Sequence, residues 1–167
     1  MPLALTFDEL VRYTNAEREK WRGGLLLHPE AMDVPVQPGG RHATVGKLID
    51  HIFLVERRHL QRLMEVPVAT RTGLTGNNAP PLFDYGASVR RELEQYVADL
   101  DDEAADLVRT FVIRDDQWQM SARKLLFHIL LHEIRHWAQI ATLLRLSGIR
   151  ADFHDLLFSP VLDSTLP

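Results

Sequence analysis

"KLLFHILLHEIRHWAQIATLLRLSG", residues 124–148, decides how this chain folds. The stretch is apolar on most sides of a helix. A helix is expected from Ser121 to Ser147, with Gly148 as its C-terminal cap and Arg145 in the last turn, where a cation complements the helix dipole. At 1.5 Å per residue its length is roughly 40 Å, long for a small domain. Such a helix needs partners of similar length. Within it His128, His132 and His136 stand four residues apart, slightly more than one turn, so their imidazoles climb one face.

The partners lie upstream. "TFDE" places Glu9 three residues after Thr6, a capping-box pattern that starts a first helix. Leu10, Tyr13, Ala16 and Trp21 continue it to about Leu27, and Gly23 and Gly24 weaken its last turn. "MDVPVQPGGRHA", 32–43, reads as a loop by its two prolines and paired glycines, and carries Arg41 and His42. A second helix is expected from Thr44 to Met64, with Val45, Leu48, Ile49, Ile52, Phe53, Val55 and Leu60 as a wide apolar stripe. Val66 to Pro81 is loop by composition. A third helix is expected over Asp84 to Arg109, with the acidic run "DLDDEAAD" as the place where it can break. Residues 110–120, "TFVIRDDQWQM", form a strand-like piece with a polar turn, too small for a sheet and suited to a hairpin-like connector. The tail "DFHDLLFSPVL" has room for a short helical turn. Four long amphipathic helices with little strand predict an all-α four-helix bundle, one domain over residues 1–167.

Composition narrows the function. The 167 residues are 46% hydrophobic and 25% charged, with a formal net charge of −4. No basic run of five or more occurs, so nucleic acid is not an expected partner. No stretch reaches 18 apolar residues, so no membrane span is expected. The N-terminal "MPLALTFDELVRY" meets an acidic pair too early for a signal peptide. Cysteine is absent, which removes disulfides, thiolate metal sites and cysteine nucleophiles and fits a cytoplasmic setting. Histidine stands out, with eight copies. There is no GxGxxG, no P-loop lysine motif and no GxSxG elbow.

Two imidazoles four residues apart on a helix can share one ion at about 2.0–2.1 Å. A lone histidine on an apolar face is more often a hydrogen-bonded core residue, so one HxxxH does not make a site. His128 and His136 are about 12 Å apart, too far to share an ion. Spacing therefore allows either 128/132 or 132/136, with a third ligand from elsewhere. The second helix offers His51 among Leu48, Ile49, Ile52 and Val55, where an unpaired buried polar group costs about 1–3 kcal/mol. His59, two turns beyond, is expected on a solvated face. His28, His42 and His154 are expected in surface or capping roles, with a place at a site mouth as the lesser alternative for His42. "HEIRH" also matches the HExxH zincin pattern, but the surrounding helix suits a bundle core better than a protease cleft.

Two segments resemble one family. "TVGKLIDHIFLVERRHL" is similar to the second helix, and residues 124–148 to the last long helix, of the DinB/YfiT-like superfamily of four-helix-bundle metalloproteins. The resemblance implies an up-down-down-up bundle and three metal-binding histidines, which fall on His51, His132 and His136. His128 matches a family histidine that is usually not a ligand. Trp137 and Ala138 stand where arginine and glycine are usual, and Gln139 is retained. The resemblance further implies a divalent metal, zinc or nickel, with open positions filled by water, and a homodimer. Characterised relatives include thiol-dependent S-transferases and a mycothiol-dependent isomerase.

The functional expectation is a metal-dependent transferase or hydrolase acting on a small-molecule substrate. With no cysteine in the chain, any thiol comes from a low-molecular-weight cofactor. The alternative is a non-catalytic helical dimerisation or binding module, with a structural metal or none.

Overall fold

Each long helix but one begins where the sequence supplies an acceptor for its first free amides. The computed structural model describes residues 4–36, 42–152 and 154–162. Helix α1 spans Phe7–Leu27. Thr6 Oγ1 accepts from Glu9 N at 3.2 Å and Glu9 Oε2 accepts from Thr6 N at 2.8 Å, the reciprocal box expected from "TFDE". Helix α2, Val45–Leu63, is capped by Thr44, whose hydroxyl accepts from Lys47 N at 3.3 Å. Helix α3, Ala79–Ala98, has prolines in its first turn instead of a side-chain cap. After the short α4, Asp102–Asp106, strands β1, Val108–Ile113, and β2, Asp116–Ser121, form an antiparallel hairpin. Ser121 then caps α5, Ala122–Leu146. That helix closes as expected: Ile149 N reaches back to the Leu144 carbonyl at 2.9 Å around Gly148, which sits at φ 77°.

Two apolar layers stack along the bundle. One joins Trp21 and Leu25 of α1, Val45 to Phe53 of α2, Leu82 and Phe83 of α3, and Trp137, Ile140 and Leu144 of α5. The other joins Leu10 and Val11, Leu60 and Leu63, Val89 and Leu93, and Leu125 to Leu130. Hence α1 and α5 run one way and α2 and α3 the other, the up-down-down-up order. Helix α2 packs on α3 and α5, and α1 packs on the same two. Where α2 meets α3, a Cβ on Gly86 would lie 2.7 Å from the Phe53 ring, so only glycine permits this approach.

Between the layers lie four buried charges, one from each long helix: Arg18, Glu56, Arg90 and Glu133. Arg18 donates to Glu133 through Nε (2.6 Å) and Nη2 (2.7 Å), and Nη2 also meets Glu56. Arg90 donates to Glu56 through Nε (2.7 Å) and to Glu133 through Nη2 (2.8 Å). The remaining valences are filled: Arg90 Nη1 reaches Thr14 and Asn15, Arg18 Nη1 reaches the Gly86 carbonyl, and Trp137 Nε1 donates to Glu133. Burial alone would push Glu56 toward its neutral form, but Arg18 and Arg90 outweigh it and hold the carboxyl below its ordinary range. Burial likewise opposes the charge on Arg18, and Glu133 and Glu56 override it.

The bounds of the third helix are corrected. The third helix starts at Ala79, not Asp84, because its first turn tolerates Pro80. It ends at Ala98, where the acidic run does break it: Asp101 accepts from Ala104 N at 2.7 Å and caps α4. The strand-like piece is a true hairpin beginning at Val108, turned by Arg114 and Asp115, both at positive φ (54° and 69°) as a two-residue type I′ turn requires. In the loop expected at 32–43, a 3-10 turn at Pro29–Asp33 and a bridge between Pro35 and Thr44 order the chain. Residues 37–41, including Arg41, lie outside the described residues. The tail carries one 3-10 turn, Leu156–Phe158. Among the described residues no helix is long and apolar enough to cross a membrane.

Removing one member of the buried set strands an opposite charge. Arg90→Ala should therefore cost about 3–5 kcal/mol in urea unfolding. Arg123→Ala, which loses exposed pairs with Asp102 and Asp106, should barely move the midpoint. Equally small effects from both would show that the buried set does not hold the bundle.

Candidate metal centre

Helix periodicity divides α5 into two working faces. Glu133, Trp137 and Ile140 enter the core, while His132 and His136, one turn apart, project beside His51 of α2. One ring nitrogen from each of His51, His132 and His136 lies within 4.8 Å of the other two. Among the described residues this is the one group of three or more histidines, aspartates or glutamates that converges so closely. His132 is buried, and His51 and His136 are half-buried, so the group opens on one side to solvent.

The two α5 rings bring their Nε2 atoms to 3.1 Å. Two ligands at about 2.0–2.1 Å from one ion need that separation at a bond angle of roughly 100°. Gln139 Oε1 faces His136 Nδ1 at 3.1 Å. An amide oxygen only accepts, so Nδ1 carries the proton and Nε2 keeps its lone pair toward His132. Burial, then the neighbouring His136, His51 and His128 and the cation of Arg135, push the His132 pKa down to about 2. Burial lowers His136 as well, outweighing its bond to Gln139. These rings are held neutral, the form that binds metal. The donor set fits a divalent transition metal: imidazole nitrogens, mutually close, with the tautomer of one set by a neighbouring amide.

The remaining histidines divide differently from expectation. His128, which spacing alone left as a possible partner of His132, stays outside the convergent group, its ring 5.6 Å from that of His132. His59 is buried rather than solvated, because the buried face of α2 is wide enough to include Glu56, His59 and Leu60. Its ring meets that of His128 edge-on at 5.3 Å, and its Nδ1 is buried with no hydrogen-bond partner among the described residues. Burial, with Arg62, His128 and Arg58 adding repulsion, lowers its pKa to about 3. His42, expected in a surface or capping role, is half-buried, with its ring 4.2 Å from that of His51 at the edge of the group. His28 is half-buried and meets Glu30. His154, expected at the surface, stacks on Trp21 at 3.8 Å and donates through Nδ1 to Glu17 at 2.8 Å.

The zincin reading fails on Glu133. In that motif the glutamate serves as general base beside the ion, whereas here both its oxygens are bound by Arg18, Arg90 and Trp137. Glu56 is committed in the same way. The sequence reading missed Arg18 and Arg90 altogether. Their signal was a charge set among core positions, as Arg90 stands beside Val89 and three residues before Leu93.

The DinB family model matches residues 1–161, nearly the whole chain, and the chain belongs to the DinB family. No curated protein and no solved structure matches it.

Purified without a histidine tag and loaded by dialysis, the wild type should carry about one divalent ion per chain, as a single three-histidine group allows. His51→Ala, His132→Ala and His136→Ala should each abolish stoichiometric binding in elemental analysis, and His128→Ala should retain it. Equal losses from His128→Ala and His136→Ala would place the ion on the other pair.

Proposed function

We propose that this chain is a metal-dependent enzyme that holds zinc or nickel on His51, His132 and His136 and activates a low-molecular-weight thiol, or water, against a small-molecule electrophile. The observation that carries the reading is a group of three imidazoles with no carboxylate among them, while Glu133, the neighbour of His132, and Glu56, five residues after His51, are locked to arginines. A divalent ion on three neutral ligands keeps its full charge and open coordination positions, and supplies the Lewis acidity that lowers the pKa of a thiol or water.

The chain's own residues do the rest. Gln139 fixes the tautomer of His136, and the half-buried edges of His51 and His136 leave an approach for the nucleophile. Arg135 adds positive potential at His128, His132 and His136, which favours an anionic nucleophile over its neutral form. The thiol is external because the chain has no cysteine. We also infer a homodimer. Ala138 is exposed next to Gln139, and Ala141 is half-buried one turn on, small side chains that let a second copy approach α5.

A panel of low-molecular-weight thiols with monochlorobimane, comparing metal-loaded and chelator-stripped protein, tests the chemistry. At least one thiol should react faster with the loaded protein, and the visible spectrum of cobalt-substituted protein should change when it is added. No rate above background for any thiol, with an unaltered cobalt spectrum, would instead favour a bundle with a structural ion. Light scattering at micromolar concentration should give twice the 19.2 kDa chain mass, and a mass of one chain would exclude the dimer.

A further inference from the structure

Among the described residues, the rings of His42, His132 and His136 lie around His51. Those of His132 and His136, at 5.1 and 5.2 Å between centroids, meet it edge-on, with interplanar angles of 61° and 82°. The third, His42, is nearer, at 4.2 Å, and more nearly parallel, at 35°. His42 does not join the converging ligand nitrogens. It lies tilted against the His51 ring, outside the group whose nitrogens converge.

The backbone holds His42 there. Val36 N donates to the Ala43 carbonyl at 3.1 Å and Val45 N to the Val34 carbonyl at 2.9 Å, on either side of the Pro35–Thr44 bridge. Thr44, two residues after His42, caps α2. One short paired segment therefore both starts the helix that bears His51 and sets His42 against its ring. His51 is the one ligand that α2 contributes to the converging group.

We propose that His42 is a positioning residue for the metal centre: its ring packs on the face of His51 and holds that imidazole in the orientation that meets His132 and His136. The proposal rests on His51 being a metal ligand. It assigns the contact to the aromatic face of His42, not to its nitrogens, so phenylalanine should substitute for it and alanine should not. Ring packing of this kind fixes a ligand's torsions as an outer-shell hydrogen bond does.

The test uses full-length wild type, His42→Ala and His42→Phe. Zinc affinity is measured by competition with a chromophoric chelator, and ring order by nitrogen-15 spectra of the histidine side chains without metal. His42→Ala should weaken zinc binding on the order of tenfold, while His42→Phe should stay within about threefold of wild type. In the metal-free protein the His51 ring signals should shift and broaden in His42→Ala and remain sharp in His42→Phe, whose circular dichroism should match that of the wild type. Unchanged affinity and unchanged His51 signals in His42→Ala would overturn the proposal. Equal weakening in both variants, with a changed cobalt spectrum in His42→Phe, would also overturn it by making His42 a ligand. A wild type that binds no zinc but shows the expected ring signals would refute the metal reading and leave the positioning contact standing.

Discussion

Two arginines and two glutamates buried between the apolar layers set how the four long helices meet. Each helix contributes one charge, and each charge is bonded to both opposite partners, so no helix can rotate or slide without exposing an unpaired ion to the core. The consequence for the site is a matter of register. Glu133 is the neighbour of His132, and Glu56 lies five residues after His51. Arg18 and Arg90 tie these two glutamates together and so fix α5 against α2 beside the histidines. A slip of one turn, about 5.4 Å, would carry His51 beyond bonding reach of an ion held by α5. The apolar layers supply most of the favourable burial, but they are tolerant of small shifts in a way that paired charges are not.

Within α5 the same periodicity separates two kinds of chemistry. Successive residues turn by about 100°, which sends Glu133 toward the arginines and His132 toward α2. A literal HExxH is thereby split between a neutral imidazole face and a charged core face. The charged groups of the core compensate one another, and the imidazole set, with His132 and His136 held in their neutral forms, faces solvent on one side. Such a group suits a cation and tolerates an anionic ligand on that cation.

Much of this was legible in the sequence because it is local. Thr6, Thr44 and Ser121 act as caps through partners three residues away, and Gly148 ends α5 through its own φ. The apolar stripes set four helices, and the resemblance singled out the three histidines that the fold brings together. What escaped was non-local. Arg18 meets Glu133 across 115 residues, and an isolated arginine or glutamate in a helix reads as a solvent-facing residue until its partner is known. His59 was misread for the same reason, since the buried face of α2 is wide enough to include it only where α5 packs against it with His128. The start of α3 was misplaced because Pro80 reads as loop, although a first helical turn accepts proline.

The most direct measurement is a crystal structure of zinc-loaded protein with the ion located by its anomalous scattering. The expected result is one ion per chain bonded to His51, His132 and His136, with Glu56 and Glu133 still paired to Arg18 and Arg90. An ion bound elsewhere, or Glu133 turned out of the core to ligate it, would contradict both the site and the constraint that positions it.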